Sequence, residues 1–561
     1  MNFRELLKEK KVVFFDGAMG TSLQSYLSPG SPPEKLNLTL PQKVKEVHLS
    51  YAREGVDVIE TNTFGANRVK LEKYGLASRT KDINYRAVKI AKEAASSQLV
   101  GASIGPLGDL IQPWGEITTS QALQVFREQI ESIAEAGADL IVIETMASLK
   151  EARIAAVAAR EVCDLPVVCQ LTFGEQGKTL IGIDARTGVF ALEALDLDVV
   201  GANCSIGPRE MFPVVKTMVS CAKKPLIFQP NAGKPVLEKG KTLFPVTPEE
   251  FSWWTKKFVE CGAKIIGGCC GTTSEHIAAM VTKTRNICVP SKKTPPIKGF
   301  SSRTKIYSFK EETPLLVGIN LSREFIEGES LDKISELLAF AEEKQCSFLN
   351  LGFRKRSKGF GIGSFINFLQ QNTNLGICID TEGKSFLDEA LGELEGKGLV
   401  FLNPDDEEAL KITKKWGATV GFNIYLHKKT DIGGEFNRIL EKCRQISVNP
   451  EEVVLKITMP PFGRYNFSFK DKITEIKKAK LCIPVSVILE LNEFSRKAIG
   501  SNFLKGFLLG IASWYGIEGA LLEPAQIESS LSILKAAEAL SSKDIKGKKF
   551  AKFIGGKNAS F

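Results

Sequence analysis

Three thiols stand out as the residues whose type and spacing could do chemistry. Cys269 and Cys270 are adjacent in Gly267-Gly268-Cys269-Cys270-Gly271-Thr272-Thr273, at the end of the apolar run Lys264-Ile265-Ile266. Cys204 follows a comparable run, Val199-Val200-Gly201-Ala202-Asn203. Adjacent cysteines are poorly placed to bridge one another, because a disulfide needs Cα atoms about 5.5 Å apart with converging Cβ vectors. Two neighbours and one distant thiol can instead hold three corners of a tetrahedral zinc and leave the fourth open. That is the pattern of a catalytic rather than a structural zinc site. The alternative is that all three are small apolar packing residues, a common use of free cysteine.

Bringing the thiols together is the task of the surrounding elements. From residue 10 to about 290, short apolar runs alternate with helix-type periodicity. Eight strands are predicted, at 12–15, 58–60, 99–103, 140–144, 167–172, 199–203, 226–229 and 264–268. Near-continuous hydrophobic strands separated by helices argue for a parallel sheet buried on both faces. Eight such units in this length fit a (β/α)8 barrel, with a doubly wound sheet as the alternative. The polar stretches fall at the strand ends. Asp16-Gly17-Ala18-Met19-Gly20-Thr21 follows the first strand, Thr61-Asn62-Thr63-Phe64-Gly65 the second and Glu144-Thr145 the fourth. Cys204, Asn231 and Cys269-Cys270 follow the sixth, seventh and eighth. In a barrel all of these reach the C-terminal rim, where active sites are built. A shared rim is what lets the three cysteines converge on zinc.

The whole chain sets wider bounds. Its 561 residues suit two domains of barrel size. With 43% hydrophobic and 25% charged residues it reads as a globular protein, with no apolar run long enough for a bilayer and no secretory signal, so the cytoplasm is expected. Twelve cysteines without regular spacing do not resemble a secreted disulfide framework, which leaves reduced or metal-bound thiols. The net charge of +9 is scattered, without the clustered basic face of a nucleic-acid binder. The three histidines, His48, His276 and His427, are isolated, so no histidine-rich metal site is available. Cys163, Cys169, Cys221, Cys261 and Cys288 lie in or beside elements and read as packing residues. Residues 291–313, rich in Pro, Lys and Ser, read as a linker between a domain at 1–290 and one at 314–541, with a Lys- and Gly-rich tail at 542–561. A second set of eight strands is predicted at 315–319, 347–351, 375–380, 399–402, 419–424, 453–457, 485–489 and 519–522. The expected class is therefore α/β, with two TIM-type (β/α)8 barrels in tandem.

The motifs Asp16-Gly17-Ala18-Met19-Gly20-Thr21, Glu60-Thr61-Asn62-Thr63-Phe64-Gly65-Ala66, Glu144-Thr145, Asn203-Cys204 and Gly267 to Thr273 resemble those of the homocysteine S-methyltransferase family. The resemblance covers nearly all of 1–290. The order of the two halves is similar to the N-terminal modules of the cobalamin-dependent methionine synthase family. It implies zinc on Cys204, Cys269 and Cys270, which would be the catalytic set. It also implies homocysteine as substrate, with Asp16 and Glu144 holding its amino acid end. Gly17, Thr63 and Asn231 are expected to line the substrate site, the Gly17 and Gly20 amides being available to a carboxylate. An alkyl thiol with a pKa of about 8.5 is mostly protonated at neutral pH, and coordination to zinc deprotonates it, so homocysteine sulfur could fill the fourth position as a nucleophile.

The resemblance further implies methylcobalamin, on a corrinoid protein acting in trans, as methyl source. A sulfonium donor such as S-methylmethionine, or a non-catalytic zinc scaffold, is the alternative. The second half resembles a pterin-binding barrel through Cys378-Ile379-Asp380-Thr381 and Asn492, which implies contacts to methyltetrahydrofolate. Gly318-Ile319-Asn320, Leu349-Asn350-Leu351-Gly352 and Lys456-Ile457 depart from that family's acidic pattern, so the second barrel is expected to be degenerate.

Overall fold

The computed structural model describes residues 1–28, 30–238, 241–290, 297–309, 316–353, 361–427, 430–459, 469–491 and, apart from 510, 511, 514 and 529, 508–531. The chain divides into two compact units, with the boundary between Pro296 and Ile297. Asn492 and the tail at 542–561 lie outside the described residues.

The first unit is a parallel barrel of eight strands: β1 Val13–Phe14, β2 Val58–Glu60, β3 Leu99–Ile104, β4 Leu140–Met146, β5 Val167–Leu171, β6 Val199–Asn203, β7 Leu226–Gln229 and β8 Ile265–Ile266. Each strand pairs in parallel with its sequence neighbour from β2 to β8, β8 returns to β1 through Ile265↔Val13, and a bridge from Phe15 to Val58 completes the ring. Strands this apolar have no solvated face, so helices must cover their outer side. The helix Thr119–Ala136 shows how the sequence delimits one. Thr118 and Gln121 form a capping box at its start, and Gly137 ends it at φ 88°, a conformation that costs a glycine little. The barrel's interior is closed at one end by the helix Phe3–Glu9, whose Phe3 and Leu6 join inward residues Val13, Phe15, Val58, Leu140, Val142, Val168, Val199, Ile227 and Ile265 in one buried cluster.

The second unit is a closed parallel barrel of β9 Leu316–Ser322, β10 Phe348–Phe353, β11 Gly376–Thr381, β12 Leu399–Leu402, β13 Thr419–Tyr425, β14 Val454–Thr458, β15 Ser486–Glu490 and β16 Gly519–Leu522. Part of the segment read as linker is built into it. Residues Gly299–Ser301 and Ile306–Ser308 pair as an antiparallel hairpin, and Phe300, Tyr307 and Phe309 join Phe348, Phe401, Val454, Ile488 and Leu521 in the barrel core. Three aromatic side chains gain more by burial than the polar residues around them lose by ordering. Gly376 is needed beneath that plug, because a Cβ there would stand 2.3 Å from the Phe300 ring. Among the described residues no helix is long and apolar enough to cross a membrane.

Candidate active site

The C-terminal ends of the first barrel's strands bring the three sequence-distant thiols together. The Sγ atoms of Cys204, Cys269 and Cys270 all lie within 4.8 Å of one another, and those of Cys204 and Cys270 are 3.9 Å apart. The loop after β7 backs them: the Cys269 amide donates to the Pro230 carbonyl at 2.9 Å and the Ala232 amide to the Cys270 carbonyl at 2.9 Å. Cys204 and Ser205 adopt φ 59° and 64°, and Thr145 φ 59°. Left-handed backbone in non-glycine residues costs roughly 1–2 kcal/mol each and persists where its surroundings over-determine it.

At Thr145, Asn203 is the residue that does so. It is fully buried, and its Oδ1 accepts from the Thr145 amide at 2.8 Å. Its Nδ2 donates to Glu144 Oε2 at 2.8 Å and Thr145 Oγ1 at 2.9 Å, and stands 4.0 Å from Cys269 Sγ. One side chain thus ties the carboxylate on β4 to the thiols on β6 and β8. The motif quoted from the sequence contains Asn203, but nothing in the pattern gives it this role.

The thiols polarise one another. Donation from Cys269 and Cys270 lowers the Cys204 thiol to about 3, and the Asn231 side chain adds to this. The same contact with Cys204 raises Cys270 to about 12 and pushes Cys269 up as well. A cluster of this kind holds one thiolate readily and resists forming three until a cation replaces the remaining protons.

Beside the thiols lie the buried carboxylates of Asp16 and Glu60 and the half-buried one of Glu144. Asp16 Oδ2 accepts from the Glu60 amide at 3.0 Å, and Glu60 Oε2 accepts from Gln229 Nε2 at 2.8 Å. Gln229 Oε1 in turn accepts from Gln170 Nε2 at 2.6 Å. Glu144 accepts from the Ser103 hydroxyl. Burial raises Glu144 to about 7, against the hydrogen bond from Ser103, and lifts Asp16 and Glu60 well above the ordinary carboxylate range. Lys70 acts on Glu144 at a distance, and among the described residues no Lys or Arg forms a salt bridge with any of the three. Asp16 Oδ1, Glu60 Oε1, Gln170 Oε1 and Asn231 Oδ1 are buried acceptors without a donor. A pocket so rich in acceptors calls for a ligand that brings N–H groups and positive charge.

Two expected lining residues also have structural partners. The Thr63 hydroxyl donates to the Ser103 carbonyl at 2.6 Å and meets the Thr61 hydroxyl at 2.6 Å, so it ties β2 to β3. Gly17 is demanded by packing, because a Cβ there would stand 2.7 Å from Thr272 Oγ1 and 2.9 Å from the Tyr51 ring. Of the cysteines read as packing residues, Cys169 is buried, whereas Cys288 is exposed.

At the second barrel's mouth a cavity of about 800 Å³ is lined by residues that include Asp380, Thr381, Asn423, Tyr425, His427 and Arg438. The Asp380 carboxylate is already engaged, accepting from Asn423 Nδ2 at 3.0 Å and from the fully buried Lys456 ammonium. Lys456 also lies 3.6 Å from Glu490. Burial opposes its charge, but Asp380 and Glu490 outweigh burial and hold it above its ordinary range.

Comparison with known proteins agrees with the geometry of the first barrel. The homocysteine S-methyltransferase family matches residues 13–284. A methionine synthase of Mycobacterium tuberculosis is 30% identical over 328 residues, covering 55% of this chain and 27% of that protein. One of Mycobacterium leprae is 31% identical over 304 residues, covering 50% and 25%. The match thus spans about a quarter of these relatives. Among solved structures, the metallated homocysteine methyltransferase MmuM of Escherichia coli is similar over 50% of this chain and 99% of its own, at 23% identity and a TM-score of 0.44. The dihydropteroate synthase of Stenotrophomonas maltophilia is similar over 44% of this chain and all of its own, at 14% identity and a TM-score of 0.35. Residues 13–284, which hold the thiols and the carboxylates alike, are thus similar to the homocysteine S-methyltransferase family.

Proposed function

We propose that the first barrel methylates the sulfur of homocysteine to give methionine. The observation that carries this reading is the convergence of Cys204, Cys269 and Cys270 beside the Asp16 and Glu144 carboxylates, both of which burial pushes above the ordinary range. The thiol set fits zinc. Two sulfurs bound at about 2.3 Å to a tetrahedral zinc stand about 3.8 Å apart, close to the 3.9 Å between Cys204 and Cys270. Zinc held by these three residues would supply the Lewis acidity that keeps a fourth sulfur in its thiolate form at neutral pH.

The chain's own residues do the rest. Asp16 and Glu144 receive the substrate's ammonium group, which relieves the cost of burying their charge. Asn203 and Ser103 hold Glu144 in place, so the amino acid end is fixed and the sulfur is directed at the thiol cluster. The Asn231 side chain steadies Cys204. The substrate thiol gives its proton to solvent. The sulfur lone pair then forms the new S–C bond, and the electron pair of the broken bond departs with the donor. The donor in this reading is a methylated corrinoid on a partner protein, in keeping with the resemblance to methionine synthases. In the second barrel Lys456 and Asn423 already donate to the Asp380 carboxylate, so this reading does not rely on methyltetrahydrofolate as the donor.

The test is methionine formation from homocysteine and methylcobalamin by the zinc-loaded protein, with Cys269→Ser as control. Turnover that is lost in the variant supports the reading. Zinc-loaded protein without turnover would overturn the corrinoid as donor.

A further inference from the structure

Glu60 is the carboxylate that the proposed reaction leaves without a role, and its surroundings suggest one. It sits at the end of β2, 9% exposed, between Asp16 and Gln229. Its backbone amide holds Asp16 Oδ2 at 3.0 Å, and one of its side-chain oxygens accepts from Gln229 Nε2 at 2.8 Å. That leaves Glu60 Oε1 and Asp16 Oδ1, both buried and both without a donor. Two such acceptors on neighbouring groups are incompatible as a pair of carboxylates and compatible if one proton lies between them. Glu144, on β4, is the other titratable group acting on both, and it opposes a second negative charge here. Gln229 cannot reverse to supply a second donor, because its Oε1 accepts from Gln170 Nε2 at 2.6 Å.

We propose that Glu60 is a protonated positioning residue whose carboxyl group donates to Asp16, so that Asp16 alone of the pair presents a charge to the substrate's ammonium group. This inference rests on the reading of the first barrel as a homocysteine-binding site. It gives Glu60 a function in selectivity. A site with one charge on the pair and one on Glu144 accepts a free α-ammonium and discriminates against substrates whose nitrogen is acylated. The proton does not take part in methyl transfer; it stays on the carboxyl group throughout.

The prediction separates a protonated acid from an ionised one. Glu60→Gln keeps the same pattern, with its amide nitrogen donating to Asp16 and its carbonyl accepting from Gln229, whereas Glu60→Ala removes both. In the zinc-loaded protein, Glu60→Gln is expected to keep KM for homocysteine within about threefold. Glu60→Ala should raise KM about tenfold or more, with kcat much less affected, the loss of one buried hydrogen bond being worth a factor of roughly 10. A second reading comes from infrared spectroscopy of the folded protein at neutral pH. The C=O absorption of protonated carboxylic acids should lose the intensity of one group in Glu60→Gln relative to the parent, Glu144 supplying part of what remains. If Glu60→Gln raises KM as much as Glu60→Ala, or if the carboxylic-acid absorption keeps its full parent intensity after the substitution, Glu60 does not carry the proton and the inference fails. If neither variant changes KM, Glu60 does not position Asp16. Absence of any homocysteine binding by the parent protein would instead refute the functional reading, while the infrared band would still report on the proton.

Discussion

Replacing Asn203 by alanine tests how the site is held together. The substitution removes the acceptor of the Thr145 amide at 2.8 Å and the donor to Glu144 at 2.8 Å. A buried backbone amide left without a partner costs about 1–3 kcal/mol, and losing a hydrogen bond to a charged group about 1.5–3 kcal/mol. Thr145 also loses the contacts that hold it at φ 59°, so part of the strain is released and offsets about 1 kcal/mol. The net loss should be about 3 kcal/mol, which for a barrel of this size lowers the unfolding midpoint of the first unit by roughly 6–12 °C. Zinc affinity should fall about 10–100-fold, the usual consequence of removing a group that orients metal ligands. Calorimetry of the full chain gives the first quantity and competition with a chromophoric chelator the second. An Asn203→Ala protein with unchanged midpoint and unchanged zinc affinity would refute the view that this side chain couples Glu144 to the thiols.

Two further outcomes follow from buried charge. His48 is fully buried, neither ring nitrogen has a hydrogen-bond partner among the described residues, and burial depresses it to about 4. Its folded value lies below the unfolded value of about 6.5, so protonation favours unfolding; its contribution is intact above pH 6.5 and is lost as pH falls toward 4. Denaturant titrations at pH 7 and pH 5 should differ by about 2 kcal/mol more in the parent than in His48→Leu; equal differences would show that His48 is not what titrates. In the second barrel, Lys456→Met strands Asp380 and Glu490 without their cation and should cost about 3–5 kcal/mol, whereas combining it with Asp380→Asn and Glu490→Gln should recover most of that. A Lys456→Met protein as stable as the parent would mean that the triad is not a closed buried network.

What was readable in advance, and what was not, divides along physical lines. Strands such as 199–203 and 399–402 are runs of buried apolar residues ended by polar ones, a local signal that tertiary contacts only reinforce. The convergence of Cys204 with Cys269 and Cys270 was legible because every strand end of a parallel barrel faces the same rim. The hairpin at 299–308 was missed because three aromatic residues among lysines, serines and prolines carry no sustained period, and their burial depends on a barrel formed by later sequence. Asn203 and Glu60 were quoted only as motif letters. Their roles depend on Thr145, Glu144, Asp16 and Gln229, partners brought close by barrel closure and not by spacing. Thr63 and Gly17, expected to line the substrate site, also have structural partners that spacing does not show, the Ser103 carbonyl and the Tyr51 ring.

The most direct measurement is zinc K-edge X-ray absorption on the full chain, before and after homocysteine. The account predicts one zinc per chain with three sulfur neighbours at about 2.3 Å, rising to four when homocysteine binds, and loss of the metal in Cys269→Ser. A zinc that gains no sulfur on adding homocysteine, or a parent chain that binds no zinc, would contradict it.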